Sequence, residues 1–265
     1  MAAGVLQRGF PVSSQRGGRI AVYRAAVLVG LLGLWWAAAA FSGSRFVPTP
    51  VDTALAAVAM VRSGTLQRAL ADSLVVFGGG YLLAAAVAIP LGVLMGGFRI
   101  LGATLEPYVN ALTATPRVAF IPLIIVLLGL DAEAKIAIVF LGAVMPILIN
   151  TYAGIAVSDP ELVEMARSAG ASRAEIFWKV MLPGALPFVL SGLRLGAAIG
   201  LINTVVAEVY TAVTGLGGLL ATYGNTFQMA PYFVVVFVLA SIGVIVTQLL
   251  RGLEARAQRW RYDPT

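Results

Sequence analysis

The sequence predicts an all-α integral membrane protein with six transmembrane helices and a polar loop of two short helices between the fourth and the fifth. Three observations predict this fold class. The chain is 60% hydrophobic and only 11% charged, whereas soluble domains carry about a quarter charged residues. Several apolar stretches have the ~20 residues that a helix needs to cross a hydrocarbon layer of ~30 Å. These stretches are continuously apolar, which argues against a β-barrel with its alternating strands.

Six segments are assigned as spans. They cover residues 23–41, 73–95, 116–130, 135–156, 188–210 and 231–250. The third is short, and its start could lie earlier, near Leu105. Residues 1–20 are predicted to be a flexible cytoplasmic tail, residues 21–255 a single transmembrane domain and residues 256–265 a second cytoplasmic tail, which leaves no room for a separate soluble module.

The first apolar run has an alternative interpretation as a cleaved signal peptide, because Arg19 and Arg24 precede it and small residues end it. Its length of about 20 residues is long for a signal peptide, so a retained helix is predicted. Residues 51–70 then show an amphipathic pattern. They form either a helix on the membrane surface or, as the favoured alternative, a connector that packs against the bundle.

Positive charge is distributed unevenly between the two sides of the predicted bundle. If the N-terminus is cytoplasmic, fourteen of the 18 Lys and Arg residues fall on the cytoplasmic side, and only Arg45, Arg62, Arg68 and Lys135 on the other. The positive-inside bias therefore predicts that both termini are cytoplasmic. It also explains the net charge of +6 as an orientation signal and not as a nucleic-acid footprint.

Several kinds of chemistry are excluded by composition. The chain contains no Cys and no His, so disulfides, thiolate metal sites and imidazole bases are ruled out, and no metal site is predicted. Ser73 and Ser191 have no neighbouring base at a recognisable spacing, which disfavours an enzyme. No G-x-x-x-x-G-K-[ST] phosphate loop occurs, so ATP hydrolysis is not expected of this chain.

Glycines and prolines occur at several positions within the predicted spans. Glycines recur every four residues at positions 192, 196 and 200 and again at 92 and 96, and each set predicts a face where helices pack closely. Pro90, Pro122 and Pro146 fall inside three successive spans and are expected to kink them. Three kinks fit a bundle built around a cavity better than a tight coiled coil.

Residues 158–187 form the polar loop. Asp159 is a good N-cap and Pro160 suits the first helical position, so a short helix should run to about Ala169, where Gly170 supplies a left-handed residue that stops it. Ser172 and Glu175 make an S-x-x-E capping box for a second helix. That helix is expected to end before Pro183, because proline disfavours helical geometry in the residue preceding it.

The spacing within this loop resembles a known signature. The pattern E-A-A, three residues, G, nine residues, I-x-L-P is matched by Glu164, Met165, Ala166, Gly170, Val180, Leu182 and Pro183. Met165 and Val180 depart from it mildly, since both are apolar. The loop is therefore similar to the coupling loop of type I ABC importer permeases. S-G-L-R at 191–194, V-A-E at 206–208 and G-L-G-G at 215–218 resemble the subfamily serving nitrate, sulfonate and taurine uptake.

The resemblance implies a permease subunit in the bacterial cytoplasmic (inner) membrane, with the loop docking into a separate ATPase. The residues it implicates in coupling are Glu164, Ala166, Gly170, Ala171, Ser172, Arg173, Phe177, Leu182 and Pro183. The implied partners are a second copy of the chain, two ABC ATPase subunits that bind ATP and Mg, an extracytoplasmic substrate-binding protein and membrane lipid, but no nucleic acid. The substrate would be a small organic or inorganic anion. Whether the loop shows Phe177 or Trp178 to the ATPase stays open.

Five polar residues are candidates for the substrate pathway: Arg117, Asn150, Asn203, Thr204 and Glu208. Each also has an ordinary structural explanation. Glu208 lies near the outer end of the fifth span, where a structural or gating pairing is favoured over substrate contact. Asn150, Asn203 and Thr204 are expected to make interhelical hydrogen bonds. Arg117 either attracts an anion to the cytoplasmic mouth or, more ordinarily, anchors the third span at the interface.

The alternative from another class is a secondary transporter driven by an ion gradient. Such carriers usually need internal repeats and buried ionisable or broken-helix sites. Only Glu208 meets that description in the sequence, and no convincing repeat is present. The ABC permease is therefore the leading hypothesis.

Overall fold

The computed structural model describes residues 15–42 and 46–257, and within these ranges all regular secondary structure is helical. The helices in chain order are α1 (Gln15–Ser42), α2 (Pro50–Arg62), α3 (Thr65–Gly97), α4 (Arg99–Ala114), α5 (Ile121–Leu128), α6 (Ala132–Ala156), α7 (Pro160–Ser168), α8 (Arg173–Ile176), α9 (Leu182–Thr211), α10 (Gly215–Asn225) and α11 (Met229–Ala257). We call the end of the bundle that carries α7 and α8 the loop end, and the opposite end the far end.

Helices α3 and α6 form the centre of the bundle and run parallel. A Cβ on Gly80 would lie 2.7 Å from Cγ1 of Val139, and one on Gly96 would lie 2.6 Å from Cγ2 of Ile155. Contacts this short are not tolerated by a side chain, so these glycines permit the close approach of the two helices. The packing face predicted around Gly96 is confirmed.

The third span is broken, which corrects its predicted position. Because α3 and α6 are parallel, the chain must cross the bundle between them, and it does so through α4, a 3₁₀ turn (Arg117–Phe120) and α5, with a bend of 80°. The crossing starts at Arg99 instead of residue 116. Pro116 disfavours helical geometry at Thr115, which is extended with ψ 130°, so a single apolar segment is split in its middle.

Helix α9 packs antiparallel on α6, and α11 returns the chain to the loop end. A Cβ on Gly154, near the end of α6, would lie 3.0 Å from Cγ of Phe188, near the start of α9. Helix α2 packs through buried Met60 against Val234 and Val235 of α11. The segment 51–70 is therefore the connector that the sequence favoured, although α3 already begins at Thr65.

Helix α10 was not predicted from the sequence. It lies at the far end between α9 and α11, and its first turn is buried. It contributes Leu216 to the same apolar cluster as Met60. Its eleven residues are too few to span a membrane, so α10 is a short helix packed into the far end of the bundle.

Helix α1 touches the rest of the bundle over a small area. Trp35 stacks on Phe233 with a ring-centroid distance of 6.1 Å, and its indole Nε1 donates to the carbonyl of Pro48 at 3.0 Å. The remaining apolar side chains of α1 are mostly exposed, as expected for a helix whose surroundings are lipid.

Several predicted boundaries change. Helix α1 already begins at Gln15, inside the predicted tail 1–20, and residues 1–14 lie outside the described ranges. The tail 256–265 starts inside α11, and residues 258–265 also lie outside them. Pro122 occupies the first turn of α5 and not a helix interior, unlike Pro90 and Pro146. Within residues 15–42 and 46–257, five helices are long and apolar enough to cross a membrane, and the bent pair makes six.

Candidate functional site

The loop end carries a rigid corner between α7 and α8. The Asp159 carboxylate caps α7 by accepting from the Glu161 amide at 3.0 Å. At the other end of α7, Gly170 has φ +84°, its amide donates to the Arg167 carbonyl at 2.9 Å, and the Ala171 amide donates to the Ala166 carbonyl at 3.0 Å. This is the Schellman arrangement, in which a left-handed residue satisfies the last helical carbonyls.

The predicted capping box starts α8. The Glu175 amide donates to Oγ of Ser172 at 3.2 Å, and the Ser172 amide donates to Oε2 of Glu175 at 3.0 Å. The salt bridge between Lys179 and Glu175, at 3.1 Å, is exposed on both sides and adds little. Hydrogen bonds local to the sequence therefore define the entry to α8.

The expected end of the second helix before Pro183 is wrong. A π-helical segment (Phe177–Met181) joins α8 to α9 without interruption, and Pro183 lies in the first turn of α9. The Leu182 amide donates to the Phe177 carbonyl, five residues back. The wider π turn shifts the hydrogen-bond register just before the residue that lacks an amide, so the helix continues past it.

The two aromatic residues of the loop have different surroundings. A Cβ on Gly97 would lie 2.7 Å from Cε2 of Phe177, so Phe177 packs on the end of α3. Trp178 is 65% exposed, and its ring meets that of Phe177 edge to face at 5.5 Å. Phe177 thus joins the loop to the bundle, and Trp178 is the aromatic side chain that faces outward.

The other residues implicated in coupling occupy the surface of the loop. Glu164, Gly170, Ser172, Arg173 and Pro183 are exposed, and Ala166, Ala171 and Leu182 are half-buried. Met165 is 64% exposed on a helix that presents acidic and basic side chains beside it. Exposed apolar side chains on a polar loop are typical of a surface that a partner covers.

Glu208 is the centre of a hydrogen-bonded network at the far end. Only 1% of it is exposed. Its carboxylate accepts from Oγ of Ser73 in α3, at 2.7 and 2.8 Å, and from the Gly217 amide in α10 at 2.8 Å. Oγ of Ser73 in turn accepts from the Leu216 amide at 2.8 Å. The carboxylate therefore satisfies the N-terminus of α10, where a negative charge is favourable.

Glycines make this network possible. A Cβ on Gly215 or Gly217 would collide with the side chain of Glu208, so the G-L-G-G sequence allows α10 to approach the carboxylate. Beside it, Nζ of buried Lys135 donates to Oγ1 of Thr214 at 2.8 Å. The sequence pointed to Glu208 but not to Ser73 or Lys135. A serine in an apolar run and a lysine at a helix start are too common to identify a buried network.

Three pathway candidates bond to their own helices. Asn150 donates to the Pro146 carbonyl, Asn203 to Ile199 and Thr204 to Gly200, at 2.8 to 2.9 Å. The expected interhelical bonds are therefore absent from these three side chains as the structure describes them. A polar side chain in an apolar helix can donate to the carbonyl four residues back without ordering a partner on another helix. This local hydrogen bond therefore costs less free energy than an interhelical one.

Arg117 lies at the break of the third span and not at the cytoplasmic mouth. Its Nη1 donates to the carbonyl of Gly142 at 3.0 Å. Gly142 is well inside α6, where a Cβ would collide with Asn203 of α9. The predicted interfacial position depended on a third span starting at residue 116. Without Arg117 in the count, thirteen of the 18 basic residues remain on the side predicted to be cytoplasmic, so the charge bias persists.

Comparisons with known sequences agree on one family. The family "Binding-protein-dependent transport system inner membrane component" matches residues 88–259. A probable ABC transporter permease protein of Brucella abortus is 34% identical over 87% of this chain and 92% of its own length. The taurine transport system permease protein TauC of Escherichia coli is 30% identical, with 88% and 87% covered. The nitrate import permease protein NrtB of Leptolyngbya laminosa is 27% identical, with 67% and 63% covered.

A solved structure has the same fold. The MetNI methionine ABC transporter, in an inward-facing form, has a chain that matches with a TM-score of 0.62 and 20% identity, over 71% of this chain and 94% of that one. These relatives give no support to a carrier driven by an ion gradient. The chain belongs to the binding-protein-dependent inner membrane components and is an ABC importer permease of the type I class.

Proposed function

We propose that two copies of this chain form the substrate pathway of an importer and that the loop at 158–187 docks into a separate ATPase subunit. The observation that supports docking is the rigid corner at Gly170, which presents Met165 and Trp178 outward. A helix that offers apolar side chains at a fixed angle suits recognition in a groove of a partner. Two ABC ATPase subunits would bind ATP and Mg, and a substrate-binding protein would deliver substrate at the far end.

The proposed orientation places the loop end and both termini in the cytoplasm of a bacterial cell, with the far end facing outward across the inner membrane. The excess of Lys and Arg at the loop end supports it. Of the basic residues that the structure describes, three lie on the far side: Arg62, Arg68 and Lys135. In this orientation, docking by the ATPase and delivery of substrate occur at opposite ends of the bundle.

The proposed substrate is a small anion with an oxyanion head. The names of two relatives, for taurine and for nitrate, support this class, since the sulfonate of taurine and nitrate each present three oxygens that guanidinium and amide donors bind well. Within the bundle, Arg117, Asn150, Asn203 and Thr204 would contribute to the pathway. Glu208, already satisfied by Ser73 and Gly217, would hold the far end together instead of meeting substrate.

Two loop variants test the docking. Gly170→Pro removes the amide that closes the Schellman corner and requires φ near −65° in place of +84°, and Glu164→Lys reverses an exposed charge on α7. We expect both to abolish ATP-dependent uptake in proteoliposomes while the chain still inserts and purifies. Glu133→Lys, an equally exposed reversal at the far end, is the matched control and should bind the ATPase normally. Normal uptake by both loop variants, with ATP hydrolysis still coupled, would contradict the docking.

A further inference from the structure

Arg117 holds a positive charge in the middle of the membrane. Its partner Gly142 follows Ala132, the first residue of α6, by ten positions, which is about 15 Å along a helix. The hydrocarbon layer is roughly 30 Å thick, so the guanidinium lies near its midplane. An ionisable side chain at this depth is costly and usually functional.

The bond to Gly142 has a specific cause. Pro146 stands four residues after Gly142 inside α6 and has no amide, so the Gly142 carbonyl lacks its helical donor. Nη1 of Arg117 supplies the missing hydrogen bond at 3.0 Å. The kink in one span therefore holds the arginine of the next span in a fixed position.

Most of the guanidinium is still available for binding. A guanidinium has five N–H donors, and the bond to Gly142 uses one. Among the described residues, the ion pairs within 4.0 Å are Lys179–Glu175 and Arg194–Glu254, so no carboxylate neutralises Arg117 there. A half-buried cation with several unused donors is suited to an anion that arrives from outside the chain.

Helix α4, which precedes Arg117, has a polar face as well as an apolar one. Glu106, Asn110 and Thr113 are exposed along α4 at spacings of four and three residues, which places them on one face. The neighbouring face, with Leu105 and Val109, packs into the core of the bundle. A polar face is unfavourable against lipid, so this one must face water or a second copy.

We propose that Arg117 is the midplane contact for the oxyanion head of the transported substrate, held in place by the Gly142 carbonyl that Pro146 leaves unpaired. The proposal rests on the anion-importer function above and assigns that function's charge selectivity to one residue. Arginine suits the task because its planar fork can bind two oxygens of a sulfonate or nitrate at once while another donor stays on the carbonyl.

Uptake of radiolabelled taurine and nitrate tests this in proteoliposomes of zwitterionic lipid. The proteoliposomes contain the full complex of permease, ATPase and binding protein. Arg117→Gln keeps an amide donor for the Gly142 carbonyl but removes the charge, and Arg117→Lys keeps the charge but loses the fork. Arg99→Gln, an exposed neutralisation at the start of the same span, is the matched control. ATP hydrolysis stimulated by the binding protein and the melting temperature of the complex are measured in parallel.

We expect Arg117→Gln to lower uptake about tenfold or more, the effect of losing one charged hydrogen-bond partner. Uptake by Arg117→Lys should fall between those of Arg117→Gln and the unmodified protein. ATP hydrolysis and melting temperature should be unchanged in both Arg117 variants. The control Arg99→Gln should behave like the unmodified protein in all three measurements. Unchanged uptake by Arg117→Gln would overturn the proposal and leave the anion importer intact. A parallel loss of hydrolysis and melting temperature would overturn it in favour of a structural ion pair with a second copy. Failure of the unmodified complex to transport either anion would overturn the anion-importer function itself.

Discussion

Glu208 connects three helices through one carboxylate. Its partners, Ser73 and the Gly217 amide, come from α3 and α10, and all three groups are buried. Truncation to alanine would leave the Gly217 amide without an acceptor in a buried site. An unpaired buried donor of this kind costs about 1–3 kcal/mol.

We therefore expect Glu208→Ala to lower the melting temperature of the detergent-solubilised permease, measured by intrinsic tryptophan fluorescence. Glu164→Ala is the control, since Glu164 is exposed and its loss should change stability by no more than about 0.5 kcal/mol. Equal melting temperatures for the two variants would show that the network contributes nothing to stability.

Single residues were predictable where their chemistry is unusual for their position. A carboxylate inside an apolar run identified Glu208, and a glycine between two capping signals identified Gly170. Ser73 was not predictable as a partner, because it lies 135 positions from Glu208 and only the fold brings them together. Arg117 was misplaced for the same reason, since its depth depends on where the third span starts.

At the scale of the elements, glycines let α3 approach α6 closely. A Cβ on Gly80 would meet Val139 and would also lie 2.8 Å from the Ile136 carbonyl, whereas one on Gly78 would meet nothing within 4 Å. Gly80→Ala should therefore force the two helices apart at a cost of about 1–3 kcal/mol. Gly78→Ala, two positions away on the same helix, should be neutral or slightly stabilising through helix propensity.

Denaturant unfolding in mixed micelles would measure the difference between these two alanines. A matched pair on one helix separates the packing effect from the general effect of alanine for glycine. If Gly78→Ala were the more destabilising of the two, the assigned face of α3 would be wrong.

The helices differ in how far their ends could be predicted from neighbouring residues. Helices α7 and α8 were predicted at their N-termini and at the Gly170 corner, because Asp159, Ser172 and Glu175 act within a few residues of themselves. The break between α4 and α5, the π segment before α9 and helix α10 were not predicted. Pro116 and Pro183 indicate irregular backbone nearby, but the sequence does not say whether the chain breaks, as at Thr115, or continues through a wider turn, as at Phe177–Met181. Helix α10 depends on its contacts with α3, α9 and α11.

At the scale of the whole molecule, the orientation can be tested directly because the chain contains no cysteine. Ser168 ends α7 and Gln228 precedes α11, and both are exposed. In intact spheroplasts a membrane-impermeant maleimide should label Gln228→Cys at once. Ser168→Cys should react only after the membrane is permeabilised, since the loop end faces the cytoplasm in the proposed orientation. The reverse labelling pattern would show that the chain is inserted the other way.

Helix α8, the π segment and α9 form one continuous helix. Residues Arg173–Thr211 form 39 helical positions, or about 58 Å at 1.5 Å per residue. One end of this continuous helix is the capped corner proposed to dock into the ATPase, and the other end is next to Glu208, which hydrogen-bonds to α3 and α10. A tilt of only about 5° at the corner would displace the opposite end by roughly 5 Å over that length. Because the backbone is continuous, a displacement of the loop end would, in the proposed orientation, move the outer end of α9 in the same step.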